Sequence, residues 1–560
     1  VIMSRTKAIR PSDISKNPLD PLAIVTGQDL MPLPYPCDTL NHPGTGPLSD
    51  RQKETYECAL DGVVAVAIPK PRSPMEEEAL VQAFLRGLRK LFSKEDNWTF
   101  LQPLKLSMDY CVKCQTCSEA CPVFEASGRQ EIYRPTFRSE VFRRIYRRYI
   151  EGESRLISRL KGDGIDLNWA TIARLCESAY RCTLCRRCAQ ACPLGIDNGL
   201  IAHELRKLFS QEMGLAPKEL HTKGTVQQLT VGSSTGMKPK AFLNLIDFME
   251  EDIAEKTGRK IKIPVDKKGA DILLVHNAGE FVSWPENPAA FAVIFEEAGL
   301  SWTLSSDLCG YDAVNYGVWY DDVQLARIAY RHAKIAKELG VRRIVVGECG
   351  HAHKALLVTA DRVLHGELNI PRESCLPLLE KIVSSGVLKL DPSRNAFPVT
   401  LHDPCNIVRL EGIVEPQRRI LRRIAPDFRE MNPHGVYNYC CGGGGGFAIM
   451  SGMNISDWKL GISGRMKVKQ ILDTFKDCIG PQTRKYVCAP CSNCKGQLRD
   501  LISYYELEPR ANIHYTGLVD LIVNAMADTP MRYLEPEEAV KDTVPEEAVA
   551  SRTKGQPTGL

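Results

Sequence analysis

Residues 111–122 read CVKCQTCSEACP and residues 182–193 read CTLCRRCAQACP. Both follow C-x2-C-x2-C-x3-C-P, so Cys111, Cys114, Cys117 and Cys121 precede Pro122 as Cys182, Cys185, Cys188 and Cys192 precede Pro193. At this spacing three thiolates cap one cubane [4Fe–4S] cluster and the fourth crosses to its neighbour. Cys111, Cys114, Cys117 and Cys192 are therefore expected to hold one cubane, and Cys182, Cys185, Cys188 and Cys121 the other. C-x2-C alone also suits zinc, but four cysteines and a proline repeated without variation argue against it.

The rest of the composition sets the context. The chain has 560 residues, 25% charged and 44% hydrophobic, which is ordinary for a globular protein of several domains. A formal charge of +4 is too small to suggest nucleic acid. No run of eighteen apolar residues occurs and the first residues lack the apolar core of a secretory signal, so a cytoplasmic location is expected. The 21 cysteines are odd in number and mostly clustered, which in a reducing compartment favours metal ligation over a disulfide framework. Cys37 and Cys58 stand alone and read as unreactive thiols.

Between the two motifs, FRSEVFRRIYRRYIEGESRLISRL places Phe142, Ile145, Tyr146 and Tyr149 at helical spacing with Arg143, Arg144, Arg147 and Arg148 interleaved. This reads as a basic amphipathic helix, either with a solvated polar face or as a dock for an acidic partner or membrane surface. A mostly helical ferredoxin domain is expected over 101–220. Residues 1–100 read as an N-terminal arm and helical region, with a helix over 74–93, and residues 529–560 as a charged tail.

Beyond residue 265 the texture becomes α/β. ADILLVHNAG, VRRIVVGECG, AFPVTLHDPC and RKYVCAPC read as short buried strands with helices between them, which points to parallel sheets. Two segments repeat one plan, 265–390 and 395–528. His276 falls opposite His402, Gly279 opposite Cys405, and Leu308-Cys309-Gly310 opposite Cys440-Cys441-Gly442; Cys349 falls opposite Cys491 and Ala352 opposite Cys494. Five cysteines of the second copy thus correspond to two in the first. Five thiolates with an adjacent pair permit bridging between irons in a more open arrangement than a cubane. Metal is expected at Cys405, Cys440, Cys441, Cys491 and Cys494, with Cys488 as a fallback, and not in the first copy. Five glycines follow Cys441, but no Lys-Ser/Thr follows them, so a phosphate-binding P-loop is not indicated. The glycines read as a space-making loop around the metal.

Two ferredoxin motifs followed by two halves, the second carrying C-x(n)-C-C-G-x(n)-C-x-x-C, resemble the CCG-domain family of heterodisulfide reductase catalytic subunits. The likeness is to the D-type subunit and its DsrK-like branch, which belongs to DsrMKJOP-type membrane complexes, and it covers about residues 101–525. It implies an oxidoreductase with two cubane [4Fe–4S] clusters and one non-cubane [4Fe–4S] cluster. Its substrate would be a disulfide or trisulfide on a small thiol-carrier protein (DsrC-like), with electrons exchanged with a quinone through a haem b membrane subunit. The cubanes would serve as the wire, and the open cluster would offer a vacant coordination position. The chain would then sit peripherally at the inner face of the membrane through its partner subunits. Cys309, Cys349 and His351 are the candidate catalytic residues: Cys309 and Cys349 would face the metallated half and act in sulfur exchange or fill a ligand position, and His351 and His353 would supply protons. Vestigial packing is the competing reading for all four. Two other functions share these domains: the iron–sulfur subunit of a flavin-linked glycolate, lactate or glycerol 3-phosphate dehydrogenase, and an electron relay without catalysis.

Overall fold

The computed structural model describes residues 68–127, 129, 133–161, 164–165, 167–217, 219–220, 235–308, 322–450, 458–530 and 533–534. Cys37, Cys58, Cys309, most of the N-terminal arm and nearly all of the tail lie outside them.

Four long helices, Pro74–Leu91, Pro135–Tyr149, Trp169–Tyr180 and Asn198–Met213, frame the helical domain. The first begins at a Ser73 cap that accepts from the Glu76 amide at 3.2 Å. It buries Phe84 and Leu88 in the same core as Phe142 and Phe209. This helix therefore belongs to the ferredoxin unit, and the expected boundary at residue 101 moves towards the N-terminus. Trp169–Tyr180 is buried along its whole length and forms the axis of the unit.

The arginine-rich helix is neither a solvated face nor a dock over most of its length. Arg138 is buried and donates to the carbonyls of Ser178 (3.0 Å) and Asn198 (3.3 Å), while Arg143 is buried against Glu140 (2.7 Å). Guanidinium groups with five fixed donors satisfy helix-end carbonyls and a carboxylate in the interior, so charge here serves packing.

Two four-stranded parallel sheets follow. The first comprises β1 (Ile272–Val275), β2 (Trp302–Thr303), β3 (Arg343–Val346) and β4 (Arg372–Ser374), in the order β2-β1-β3-β4. The second comprises β5 (Val399–Leu401), β6 (Phe428–Arg429), β7 (Lys485–Cys488) and β8 (Ile513–Thr516), in the order β6-β5-β7-β8. The topologies are identical and every strand pair is parallel. In both, the chain steps outward to one edge and then returns past the first strand to the other. This creates a switch point beyond the carboxyl ends of the two central strands, where ligands lodge in open α/β sheets.

Ile272 and Leu274 share one apolar core with Val399, Leu401 and Tyr486, together with helices Glu286–Glu297, Cys375–Ser385, Pro416–Ile424 and Leu518–Asn524. The two halves are thus joined back to back through a common interior. On the opposite face of β1 and β3, Leu273, Val275, Ile344 and Val346 belong to the core of the helical domain.

Candidate iron–sulfur centres

The two ferredoxin motifs share an unusual backbone. Lys113 and Gln115 have φ of 58° and 65°, and Leu184 and Arg186, at the same places in the second motif, have 55° and 61°. Left-handed turns at non-glycine residues are costly and persist only where the surroundings impose them. Here they curl each C-x2-C-x2-C segment around a common centre. Cys117 has its pKa pushed up to about 12, first by burial and then by Cys111, Cys121, Cys192 and Cys114 around it. Cys121 is likewise held at about 12 by burial, with Cys185 and Cys182 as its charged neighbours. Burial, Asp197, Cys185 and Cys182 raise Cys188 well above a free thiol. So many thiols in one place ionise only against a multivalent cationic centre, which fits an iron–sulfur cluster at each turn. A cavity lined by Cys121, Cys182, Cys185 and Cys188 marks the second position. Cys114 of the first set is exposed and its thiol pairs with Thr116 Oγ1 at 3.3 Å.

At the switch point of the second sheet, Cys405 begins the turn of helix after β5, and Cys491 is the N-cap of the helix after β7. Cys440 and Cys441 arrive on the long segment between β6 and β7. The Cys440 thiol is in hydrogen-bonding contact with Cys405, Cys441 and Cys185, and Cys494 is in contact with Cys441 and Cys491. The Cys441 and Cys494 sulfurs lie 3.6 Å apart. Backbone amides point inward: Gly442 N to Cys440 Sγ (3.3 Å), Gly443 N to Cys441 Sγ (3.5 Å) and Gly350 N to Cys491 Sγ (3.3 Å). Amide donors of this kind stabilise thiolates in a dry site. Lys467 is fully buried and donates to Asn438 Oδ1 at 2.8 Å. Burial draws its pKa down to about 7, against the opposing pull of Asp403, Cys441, Cys440 and Cys494. Five converging thiols, three amide donors and a buried amine suit an anionic metal–sulfur group.

The glycine run does something that the sequence does not suggest. A Cβ on Gly444 would stand 2.3 Å from the Thr183 carbonyl oxygen, and one on Gly445, at φ +64°, 2.8 Å from that of Cys182. Arg206, fully buried, donates to Ala179 O (3.0 Å), Cys182 O (2.5 Å) and Gly445 O (2.8 Å) and clamps the two loops together. The glycines therefore let this half sit flush on the second ferredoxin turn rather than clearing space around the metal. Arg409 Nη1 donates to Cys185 O at 2.7 Å, and Arg187 reaches both Ala120 O (2.5 Å) and Tyr437 O (2.8 Å).

The other candidates separate clearly. Cys488, the last residue of β7, lies in the core between the halves and not with the cysteine group, since alternation along the strand turns it to the other face. Cys349 is buried; Asn277 Nδ2 donates to its sulfur at 3.5 Å and the Ala352 amide at 3.4 Å. Burial first, then Cys491, raises its pKa to about 12, so this thiol faces the intact half. His353 is engaged at both nitrogens, by Cys349 O and Ser374 Oγ, each at 2.8 Å, which makes it a structural link. His351 is buried with its pKa drawn to about 4 by burial, hence a neutral imidazole at neutral pH rather than one titrating near 6.5. Sequence reasoning passes over Lys467, Arg206 and Arg409, which lie in no motif, and over Arg187, a variable position inside the second ferredoxin motif. It marks His402 only as the counterpart of His276, although that correspondence is the available signal.

Comparison with known proteins finds both domain types in the chain. Residues 107–196 match the 4Fe-4S dicluster domain and residues 399–499 the cysteine-rich CCG domain. An Hdr-like menaquinol oxidoreductase iron-sulfur subunit 2 of Archaeoglobus fulgidus is 26% identical over 80% of this chain and 84% of its own length. The D-type subunit of the dihydromethanophenazine:CoB--CoM heterodisulfide reductase of Methanosarcina acetivorans is 26% identical over 72% of this chain and 91% of its own. The chain is an iron–sulfur protein similar to that D-type polypeptide, a heterodisulfide reductase-like oxidoreductase component with two [4Fe–4S] clusters in its dicluster domain. Among the described residues no helix is long and apolar enough to cross a membrane.

Proposed function

We propose that the chain is the iron–sulfur catalytic subunit of a membrane-associated complex. In this reading it exchanges electrons between a quinone-linked haem b subunit and a disulfide or trisulfide on a small thiol-carrier protein. The sequence likeness, over most of the chain, to an Hdr-like menaquinol oxidoreductase subunit and to the D-type polypeptide of a heterodisulfide reductase supports that class. A DsrK-like place in a DsrMKJOP-type complex of dissimilatory sulfur metabolism, with a DsrC-like carrier, is the specific form proposed. The ligand assignment is Cys111, Cys114, Cys117 and Cys192 for one cubane, and Cys182, Cys185, Cys188 and Cys121 for the other. Cys405, Cys440, Cys441, Cys491 and Cys494 would hold a non-cubane [4Fe–4S] cluster.

The observation that carries the reading is the contact between the Cys185 and Cys440 thiols, which joins a ferredoxin ligand to the five-cysteine site. Electrons would enter at the exposed turn around Cys114, bordered by exposed Tyr110, Val112 and Leu194, and leave at the buried end. Bound there, the clusters supply one-electron steps to a two-electron reaction, R–S–S–R′ + 2 e⁻ + 2 H⁺ → RSH + R′SH. This chain's own residues orient the site. Gly350, Gly442 and Gly443 donate amides, Lys467 offsets negative charge, and Cys349 stands beside Cys491 where an incoming sulfur could exchange with it.

Anaerobic purification followed by disulfide reduction driven by benzyl viologen tests the proposal. Turnover of a carrier disulfide, lost in Cys440→Ser while the iron of the two cubanes remains, is expected. A fully loaded chain that turns over no carrier disulfide would identify it as a relay.

A further inference from the structure

His402 and His276 occupy matching places, each directly after the inner strand that opens its sheet, β5 and β1. Their surroundings differ in a way that follows the cysteines. In the first half, His276 Nδ1 lies 3.3 Å from Glu280 Oε2, and the ring packs edge-on against Phe281 and Phe291 with Nε2 left over. Four residues beyond His402 the second half has Asn406 instead of a glutamate. His402 is 1% exposed, neither of its ring nitrogens has a nitrogen or oxygen partner among the described residues, and its side chain is in hydrogen-bonding contact with Cys441. Its ring faces sulfur: a ring nitrogen and the Cys441 and Cys494 sulfurs all lie within 4.8 Å of one another.

A buried donor or acceptor left unpaired costs about 1–3 kcal/mol. An imidazole with no nitrogen or oxygen partner therefore points to the cysteine sulfurs beside it. In the half that has lost its ligands, a carboxylate supplies one partner. In the half that keeps them, the carboxylate is absent and thiolates lie alongside.

We infer that His402 is a positioning residue for the five-cysteine cluster, donating a ring N–H to its sulfur at Cys441 or Cys494. The inference rests on the proposed cluster at these cysteines. An imidazole N–H aimed at a thiolate fixes the sulfur's orientation and stabilises the more negative, reduced state, because hydrogen bonds to sulfur help to set cluster potentials. His402 makes no bond to the reacting disulfide and carries no proton to it.

The test uses the full chain, purified anaerobically with its clusters and with histidine labelled with 15N. Pulsed EPR of the five-cysteine centre is expected to show one weak histidine-nitrogen coupling, which His402→Phe abolishes and His351→Gln leaves unchanged. In His402→Phe the centre should become harder to reduce, needing about a tenfold higher ratio of reduced to oxidised mediator, equivalent to about 59 mV for one electron. His402→Asn, which retains an N–H, should recover part of that shift. Where His402→Phe loses the cluster, the labelled parent and His351→Gln still decide. A coupling absent from the parent, one removed by His351→Gln, or one strong enough to signify direct iron–nitrogen coordination overturns the inference. Iron sufficient only for the two cubanes, with no third centre, overturns the cluster reading itself and is recognised by that count.

Discussion

The two α/β halves share a strand order, a parallel register and a histidine after the corresponding inner strand, yet one gathers five cysteines and the other, at the corresponding described positions, retains Cys349. The difference shows which parts of the plan depend on the cysteines. The grouped cysteines lie beyond the carboxyl ends of strands, whereas the common core lies between the sheets and uses none of them. A half can therefore lose ligands without losing its fold. What replaces them is local: Asn277 caps the first helix, with its side chain accepting from the Gly279 amide at 2.8 Å. At the same place in the second half, Asp403 forms a two-pronged pair with Arg418, at 2.8 and 2.7 Å, and accepts from the Gly435 amide at 2.7 Å. The cysteine-rich half is braced by a buried ion pair, and the other by an amide cap and an apolar helix, Glu286–Glu297.

The largest break in this comparison should come from that brace. Arg418→Ala leaves the fully buried Asp403 carboxylate without its partner, which costs roughly 3–5 kcal/mol. Chemical denaturation under anaerobic conditions should show that loss, and Asp403→Asn combined with Arg418→Met should recover much of it. An Arg418→Ala protein as stable as its parent would mean that the pair does not brace the site.

A smaller effect, with a functional consequence, is expected at Gly444. Alanine there would press on the Thr183 carbonyl, and overpacking of this kind costs about 1–3 kcal/mol. The strain falls on the contact between the cysteine-rich half and the second ferredoxin turn. Reoxidation of the cubanes by a carrier disulfide, followed by stopped flow, should slow although iron content is retained. Unchanged kinetics would separate the glycine contact from electron transfer.

Much of this is legible in the sequence, and the remainder fails for identifiable reasons. β1, β3, β5 and β7 announce themselves because they are inner strands rich in β-branched and other apolar residues. β2, β4, β6 and β8 do not, since WT, RES and FR are too short to carry a pattern and IHYT has mixed polarity. The eight ferredoxin cysteines and the duplicated plan are local patterns. The burial of Arg138 and Arg206 is not, because their acceptors are carbonyls distant in sequence, up to 239 residues away at Gly445. The glycine run misleads for the same reason. Local chemistry says that glycine permits space or a tight turn, and only the tertiary contact shows that it permits close approach to Thr183.

Gly279 offers the smallest and sharpest test, because it stands where the cysteine-rich half has Cys405. A Cβ at Gly279 would meet only Asn277 Oδ1, at 3.1 Å, and the residue lies within a helical turn without a positive φ. Nothing there requires glycine, in contrast to Gly444 or Gly445. Gly279→Ala should therefore leave stability unchanged or raise it by up to about 1 kcal/mol, through reduced freedom of the unfolded chain and better helix propensity. Thermal unfolding of the loaded chain measures it, with disulfide turnover as the control. A loss of several degrees, or of activity, would show that the vacated ligand position has acquired a task of its own. A neutral result would mean that this position is free to accept a side chain, so cysteine could return there without rebuilding the backbone.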